Sequence, residues 1–360
     1  MSLRMTSGRP SGRRKVDAYG TWPSPISADA VGGQTLRLQL LQASGPWIYW
    51  SEGRPSEGGR VVLMRARSSG RPEELLPRPF SARSRIHEYG GGEFFVAGDR
   101  VYFVNDDDQQ VYEMRAGVAP RRVTDQPGMR FGDFALDARR QRLIAVGEQH
   151  HPERQHPENM LVAISLEAAS WGRMQRLLRG QDFYASPRLS PDGAQLAYVS
   201  WSLPDMPWDE SVLAIAEIGA DGNAGRSRRI AGGKGTAASE PVWLPNGHLV
   251  FLWDRSGFDN LCLHEPGKRV RTLYVRSADF GRPLWSLGNK SFAVHANGQI
   301  GASYLERGEA RFGLIDAAMG TAGGGKGESG KSEADQNDHY FRGLVKVTYA
   351  QATESGGADP

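Results

Sequence analysis

The sequence is poor in cysteine, in long apolar runs and in excess charge of either sign. Cys262 is the only cysteine in 360 residues, so no internal disulfide can form and zinc ribbons built on cysteine pairs are excluded. The longest apolar runs, Val212 to Ile218 and Leu249 to Trp253, fall far short of the ~20 residues a membrane helix needs. Lys and Arg number 44 against 41 Asp and Glu, and the net charge is +3. With no dense basic face interleaved with aromatics, neither nucleic acid nor a membrane is expected as a partner. No helix-length amphipathic segment interrupts residues 16–316, which argues against an α/β fold. A cytoplasmic location is expected. Met1 to Lys15 carries five basic residues and no acid without a secretory apolar core. It reads as a disordered basic tail, with an organelle-directing segment as the alternative.

What the sequence has in quantity is turn residues, with 45 glycines and 21 prolines. The stretch Asp182 to Trp201, DFYASPRLSPDGAQLAYVSW, shows their use. Pro191, Asp192 and Gly193 suit a tight turn, and Leu196 to Trp201 makes a short apolar run of strand length. Similar short runs occur at Trp47 to Ser51, Val61 to Met64, Phe94 to Val96, Val101 to Val104, Val111 to Met114, Phe131 to Leu136, Leu143 to Val146 and Met160 to Leu166. They continue at Val212 to Ile218, Pro241 to Leu244, Leu249 to Trp253, Leu261 to His264, Leu284 to Leu287, Phe292 to His295, Ile300 to Leu305 and Phe312 to Ile315. Pro245, Asn246 and Gly247 stand where Pro191, Asp192 and Gly193 stood. The central runs recur at roughly 40 to 55 residues, the spacing of propeller blades. A four-stranded meander cannot cover its own faces, so several must stack around an axis. The expected fold is all-β, a β-propeller of four-stranded blades with six recognisable. The expected domains are a basic tail over 1–15, the propeller over 16–316 and a low-complexity disordered tail over 317–360. The aromatics of Val16 to Ile26 are expected to pack on the first blade. Leu344 to Tyr349 alternates like one further strand.

Several stretches carry a family resemblance in order along the chain: YGTWPSP at Tyr19 to Pro25, RIHEYGGG at Arg85 to Gly92, the Asp182 to Trp201 stretch with Met206 to Asp209, EPVW at Glu240 to Trp243, DRSGFDNL at Asp254 to Leu261, and Tyr304 to Asp316. The chain resembles the propeller of prolyl-oligopeptidase-type serine peptidases, near the dipeptidyl aminopeptidase and acylaminoacyl-peptidase branch. The resemblance implies a seven-bladed propeller that caps an α/β-hydrolase domain and screens it, admitting peptides. It also implies a G-x-S-x-G nucleophile elbow with a following aspartate and histidine, all beyond the propeller. No such elbow occurs in these 360 residues, and no strand and helix alternation follows Asp316. The expectation is therefore the substrate-gating portion of such a peptidase, inactive alone, its seventh blade missing. Its partners would be a peptide substrate or a hydrolase domain, with self-association through the open propeller edge. The alternative is a stand-alone peptide- or protein-binding scaffold.

No catalytic residue, metal or cofactor is assigned. GKGESGKS at Gly325 to Ser332 fits the P-loop pattern but lacks the flanking strand and helix, and reads as a chance match in a Gly/Lys/Ser-rich tail. His150, His151 and His156 with Glu148, Glu153 and Glu158 follow no zinc spacing and read as a solvated loop. Arg85, His87, Glu88 and Tyr89, ahead of three glycines, form one candidate substrate or partner site. Trp208, Asp209 and Glu210, in a Pro-bounded loop, form a second, where an aromatic and carboxylates could meet a peptide's side chain and amino terminus.

Overall fold

The turn at Ser190 to Gln195 shows how one blade is built. In the computed structural model, Asp192 Oδ1 accepts the Ser190 hydroxyl at 2.6 Å and the Ala194 N–H at 3.0 Å, while Gly193 takes φ +67°. An aspartate that binds the N–H two residues on fixes the turn, and glycine enters the left-handed region without a Cβ clash. The same device recurs where Asn246 Oδ1 accepts the His248 N–H at 3.1 Å and Gly247 takes φ +80°. Each turn joins the first and second strands of its blade. The structure describes residues 35–316 apart from 68, 296 and 297, and ahead of them 16, 18–22, 24, 26 and 27.

Six antiparallel sheets follow one another, five of four strands and one of three among the described residues. Blade 1 comprises Arg37–Ser44, Trp47–Arg54, Arg60–Arg67 and Glu73–Glu74. Blade 2 comprises Phe94–Ala97, Arg100–Val104, Val111–Arg115 and Val118–Arg122. Blade 3 comprises Met129–Asp137, Arg142–Gln149, Glu158–Ser165 and Met174–Arg179. Blade 4 comprises Phe183–Leu189, Gln195–Trp201, Val212–Ile218 and Ala224–Gly232. Blade 5 comprises Ala238–Trp243, Leu249–Trp253, Asn260–His264 and Arg271–Thr272, and blade 6 Phe292–Val294, Gln299–Glu306 and Glu309–Asp316. The strands of each blade pair in sequence order, so the first strand is innermost and the last is the outer edge. There is no α-helix among the described residues, and no helix long and apolar enough to cross a membrane. The propeller of six blades is as the sequence predicts.

Three expectations need correction. Leu284 to Leu287 is not a strand: Leu287 is buried, and its segment pairs with Gly91 through an isolated parallel bridge. The apolar residues there serve docking, not a ladder. Tyr19 is fully exposed and does not pack on blade 1, and Trp22 and Ile26 are mostly exposed. The sixth blade has three strands, not four, among the described residues. The tails 1–15 and 317–360, with the P-loop match and the Leu344 to Tyr349 alternation, lie outside the described residues.

Buried apolar clusters join blades 1 and 2, blades 2 and 3, blades 3 to 5, and blades 5 and 6. No such cluster joins blade 6 to blade 1 among the described residues. There Leu38, Leu41 and Ile48 of blade 1 and Leu305, Phe312 and Leu314 of blade 6 are exposed.

Candidate functional site

Arg85 to Gly92 leads into the inner strand of blade 2 and is shaped by glycine. Gly90, Gly91 and Gly92 all have positive φ, and a Cβ on them would lie 2.2 Å from Ser84 O, 2.3 Å from Leu287 O and 2.4 Å from Asp133 N. No other residue fits such close backbone approaches. The glycines let this loop approach the protein's own backbone, at the inner strand of blade 3 and the segment entering blade 6: Leu287 N donates to Gly90 O at 2.9 Å and Asp133 N to Gly92 O at 2.9 Å. Ile86 plugs into the core shared by blades 3 to 5.

The candidate residues on this loop divide by role. His87 N donates to Glu148 Oε2 at 2.9 Å, its Nε2 lies 3.1 Å from Asn159 Oδ1, and its ring stands edge-on to Phe183 and Trp201 at 5.1 and 5.8 Å. Burial holds the imidazole below its usual value against the pull of Glu148 and Asn159, so it is a neutral latch between blades 3 and 4. Arg85 binds Asp106 Oδ1 at 2.7 Å. Glu88 is exposed and accepts Arg130 Nη1 at 2.7 Å. Tyr89 is 65% exposed, and its ring centroid lies 5.2 Å from that of Trp285.

The loop between the second and third strands of blade 4 meets it there. Trp208 lies 4.4 Å, centroid to centroid, from the same Trp285, so the two candidate stretches join through one indole. Asp209 Oδ2 accepts the Met206 N–H at 3.3 Å. Glu210 Oε2 accepts the Gly235 N–H at 2.8 Å, and with that of Lys234 this bond lowers its carboxyl below the ordinary range. Glu210 closes a backbone turn; Tyr89, Trp285 and Trp208 form the presented surface. Trp285 was not singled out from sequence because it sits in the run read as a strand.

In the histidine-rich loop Pro152 to His156 are exposed, as expected of a solvated surface, but Glu148, on the preceding strand, is not. Glu148 is buried, accepts the His87 N–H and lies 2.6 Å from His150 Nε2. Donor atoms of Glu88, Glu148 and His150 fall within 4.8 Å of one another. The Arg130 guanidinium, 2.7 Å from Glu88 and 3.5 Å from Glu148, already supplies a cation to both carboxylates. His151 and His156 take no part in that cluster.

Below the loop the inner strands enclose an axial cavity of about 450 Å³, walled by residues of all six blades. Residues with positive φ interrupt four inner strands at register shifts: Leu40, Asp133, Ser186 and Glu240. Such bulges re-aim side chains at a ladder's expense. Asp133 thereby reaches blade 4, accepting Ser186 N and Arg188 Nη1, both at 2.8 Å. Glu240 reaches blade 6, accepting Ser291 N at 2.7 Å and Ser291 Oγ at 2.9 Å, and Glu93 accepts Ser51 Oγ of blade 1 at 2.7 Å. Burial pushes Glu240 up to about 7 against those Ser291 bonds, and raises Glu93. Carboxylates thus tie blade pairs 1–2, 3–4 and 5–6 near the axis. Only EPVW marked one of them in sequence, and nothing marked its partner.

No family model matches the chain, and no curated protein sequence does. Among solved structures it is similar to a Mycobacterium tuberculosis puromycin-hydrolyzing peptidase, with 33% identity and TM-score 0.75 over 84% of this chain and 48% of that one. A puromycin hydrolase matches with 31% identity and TM-score 0.76, over 85% of this chain and 49% of that one. Prolyl oligopeptidase B from Galerina marginata shares the fold, at 11% identity and TM-score 0.56, over 78% of this chain and 43% of its own. The chain spans about half the length of these proteins.

Proposed function

We propose, from the premise that the chain is the propeller portion of a prolyl-oligopeptidase-family peptidase, that it gates and positions peptides for a hydrolase domain and has no hydrolytic chemistry of its own. The observation that carries this reading is the match to puromycin-hydrolysing peptidases, which covers most of this chain but only about half of theirs. The face on which the inner strands begin is the one that meets peptide and hydrolase. Tyr89 and Trp285 offer it an exposed aromatic surface beside the half-buried Trp208, and Asp209 offers a carboxylate suited to a peptide's amino terminus, while Glu88 is held by Arg130. Arg85, His87 and Glu210 hold the two loops in place through Asp106, Glu148 and the Gly235 N–H.

The test is complementation. The purified chain is mixed with a separately expressed hydrolase half of a puromycin-hydrolysing peptidase, and aminoacyl chromogenic substrates are assayed with each half alone and together. Binding of the two halves, turnover of short peptides by the mixture and at least a fivefold loss on Trp285→Ala are expected. If the chain never binds the hydrolase half and instead retains unrelated proteins in a pull-down, the scaffold reading replaces this one.

A further inference from the structure

The axial cavity contains an unmatched cation. Arg188 and Lys290 both line it, and they are not equivalent. Arg188 Nη1 is held by Asp133 Oδ1 at 2.8 Å and by Pro187 O at 2.8 Å, so its charge is matched. Lys290 enters no ion pair or hydrogen bond among the described residues, and solvent reaches it from the cavity although protein surrounds it. Its closest acidic influences are Asp133, already occupied by Ser186 and Arg188, and Glu240, whose Oε2 accepts both Ser291 donors.

Apart from Gln42, held by the Phe94 and Val96 backbone, and Asp133, held by Ser186 and Arg188, the rest of the wall is apolar. Phe95, Phe134, Trp243 and Phe292 come from four blades, and the Trp243 indole N–H is already held by Arg188 O at 2.9 Å. Their rings therefore present hydrocarbon rather than a donor. An apolar chamber with one free ammonium selects a molecule with one anionic end and a hydrophobic body, because burying either part elsewhere would leave it unmatched. Arg188, beside Lys290, adds positive potential without needing to leave Asp133. About 450 Å³ holds one large side chain together with its carboxylate and an adjoining amide.

We propose that the axial cavity is a binding site for an apolar carboxylate, with Lys290 as the anion contact and the inner-strand aromatics as the hydrophobic seat. The carboxylate could belong to a free apolar acid or to the C-terminal residue of a peptide, and the two share this chemistry. The site is separate from the loop-face surface and does not depend on the hydrolase reading.

The full chain is titrated by calorimetry with N-acetylphenylalanine, its neutral amide, and the tripeptide Gly-Ala-Phe. The acid binds at least tenfold tighter than the amide. Lys290→Gln lowers acid affinity at least tenfold while leaving the thermal midpoint within about a degree, and Lys290→Arg restores most of it. A tripeptide that binds tighter than the acetylated acid assigns the site to a peptide C-terminus, and equal or weaker binding assigns it to a free acid; both support the site. Equal affinity for acid and amide, no binding by the unaltered chain, or a Lys290→Gln protein that binds as before would overturn it.

Discussion

Blades 3, 4 and 5 share one continuous apolar core, in which Phe251, Leu196 and Ile144 are fully buried. The flanks of blades 1 and 6 have the same kind of side chain on the same kind of sheet, yet Leu38, Leu41, Phe312 and Leu314 stand in solvent. In blade 6 the alternation is strict: Ile300, Ala302 and Tyr304 face blade 5, while Phe312 and Leu314, paired with Ser303 and Gly301, face away. The strands are therefore built for two-sided burial, and what differs is only whether a neighbour is present. Burial in this architecture is supplied by the next blade, and between blades 6 and 1 the sheets present surfaces made for another layer.

Four tests bear on that contrast, taken from the largest effect downward. Phe251→Ala in the shared core should cost about 3–5 kcal/mol in denaturant unfolding, whereas Phe312→Ala on the open flank should cost less than about 1 kcal/mol. Similar losses at the two sites would mean that the flank is covered. Next is Glu240, buried between blades 5 and 6. Its folded pKa, about 7, lies above the ordinary carboxylate value, so folding favours its protonated form. That stability is fully present below about pH 4 and is lost as pH rises through 7. Glu240→Gln should flatten the slope between these limits and stabilise the fold at pH 8 by roughly 2–3 kcal/mol, offset by any weakening of the Ser291 bonds. A slope unchanged by the substitution would exclude Glu240 as its source.

Gly91 and Gly308 both have positive φ, but a Cβ at Gly91 would meet Leu287 O at 2.3 Å while one at Gly308 meets nothing within 4 Å. Gly91→Ala should destabilise by about 2–3 kcal/mol and Gly308→Ala by about 1 kcal/mol, so the difference isolates the close approach of Gly91 to the Leu287 backbone. The smallest effect on stability is expected for Leu314→Asp. We expect the chain to self-associate through the exposed flanks, and this change should weaken association at least tenfold in sedimentation at several concentrations while moving the unfolding midpoint little. A chain that stays monomeric at every concentration before any substitution would show that the flanks are not sticky.

The second and third strands of each blade were the most legible in sequence, because they are buried on both faces and read as apolar runs. Val212–Ile218 and Leu249–Trp253 are found at the bounds read from sequence. The outer strands were not, since Val118–Arg122 and Ala224–Gly232 have the polar composition of an exposed edge and no period to detect. Arg37–Ser44 escaped for a related reason: its leucines alternate imperfectly across the bulge at Leu40, and Leu38 and Leu41 remain exposed. The glycines of RIHEYGGG did signal a close backbone approach. Which backbone they approach, and that Trp285 joins Tyr89 to Trp208, depends on contacts between residues roughly forty to two hundred positions apart, which no local pattern encodes. The burial of Glu148 likewise follows from Arg85 to Gly92 crossing over it.

The most direct measurement is labelling of the purified chain with a fluorophosphonate probe for activated serines, alongside turnover of aminoacyl and dipeptidyl chromogenic substrates by the chain alone. A propeller that gates peptides without catalysing their cleavage should show neither labelling nor turnover. A serine of this chain labelled in stoichiometric yield, with turnover lost on its replacement by alanine, would contradict that reading.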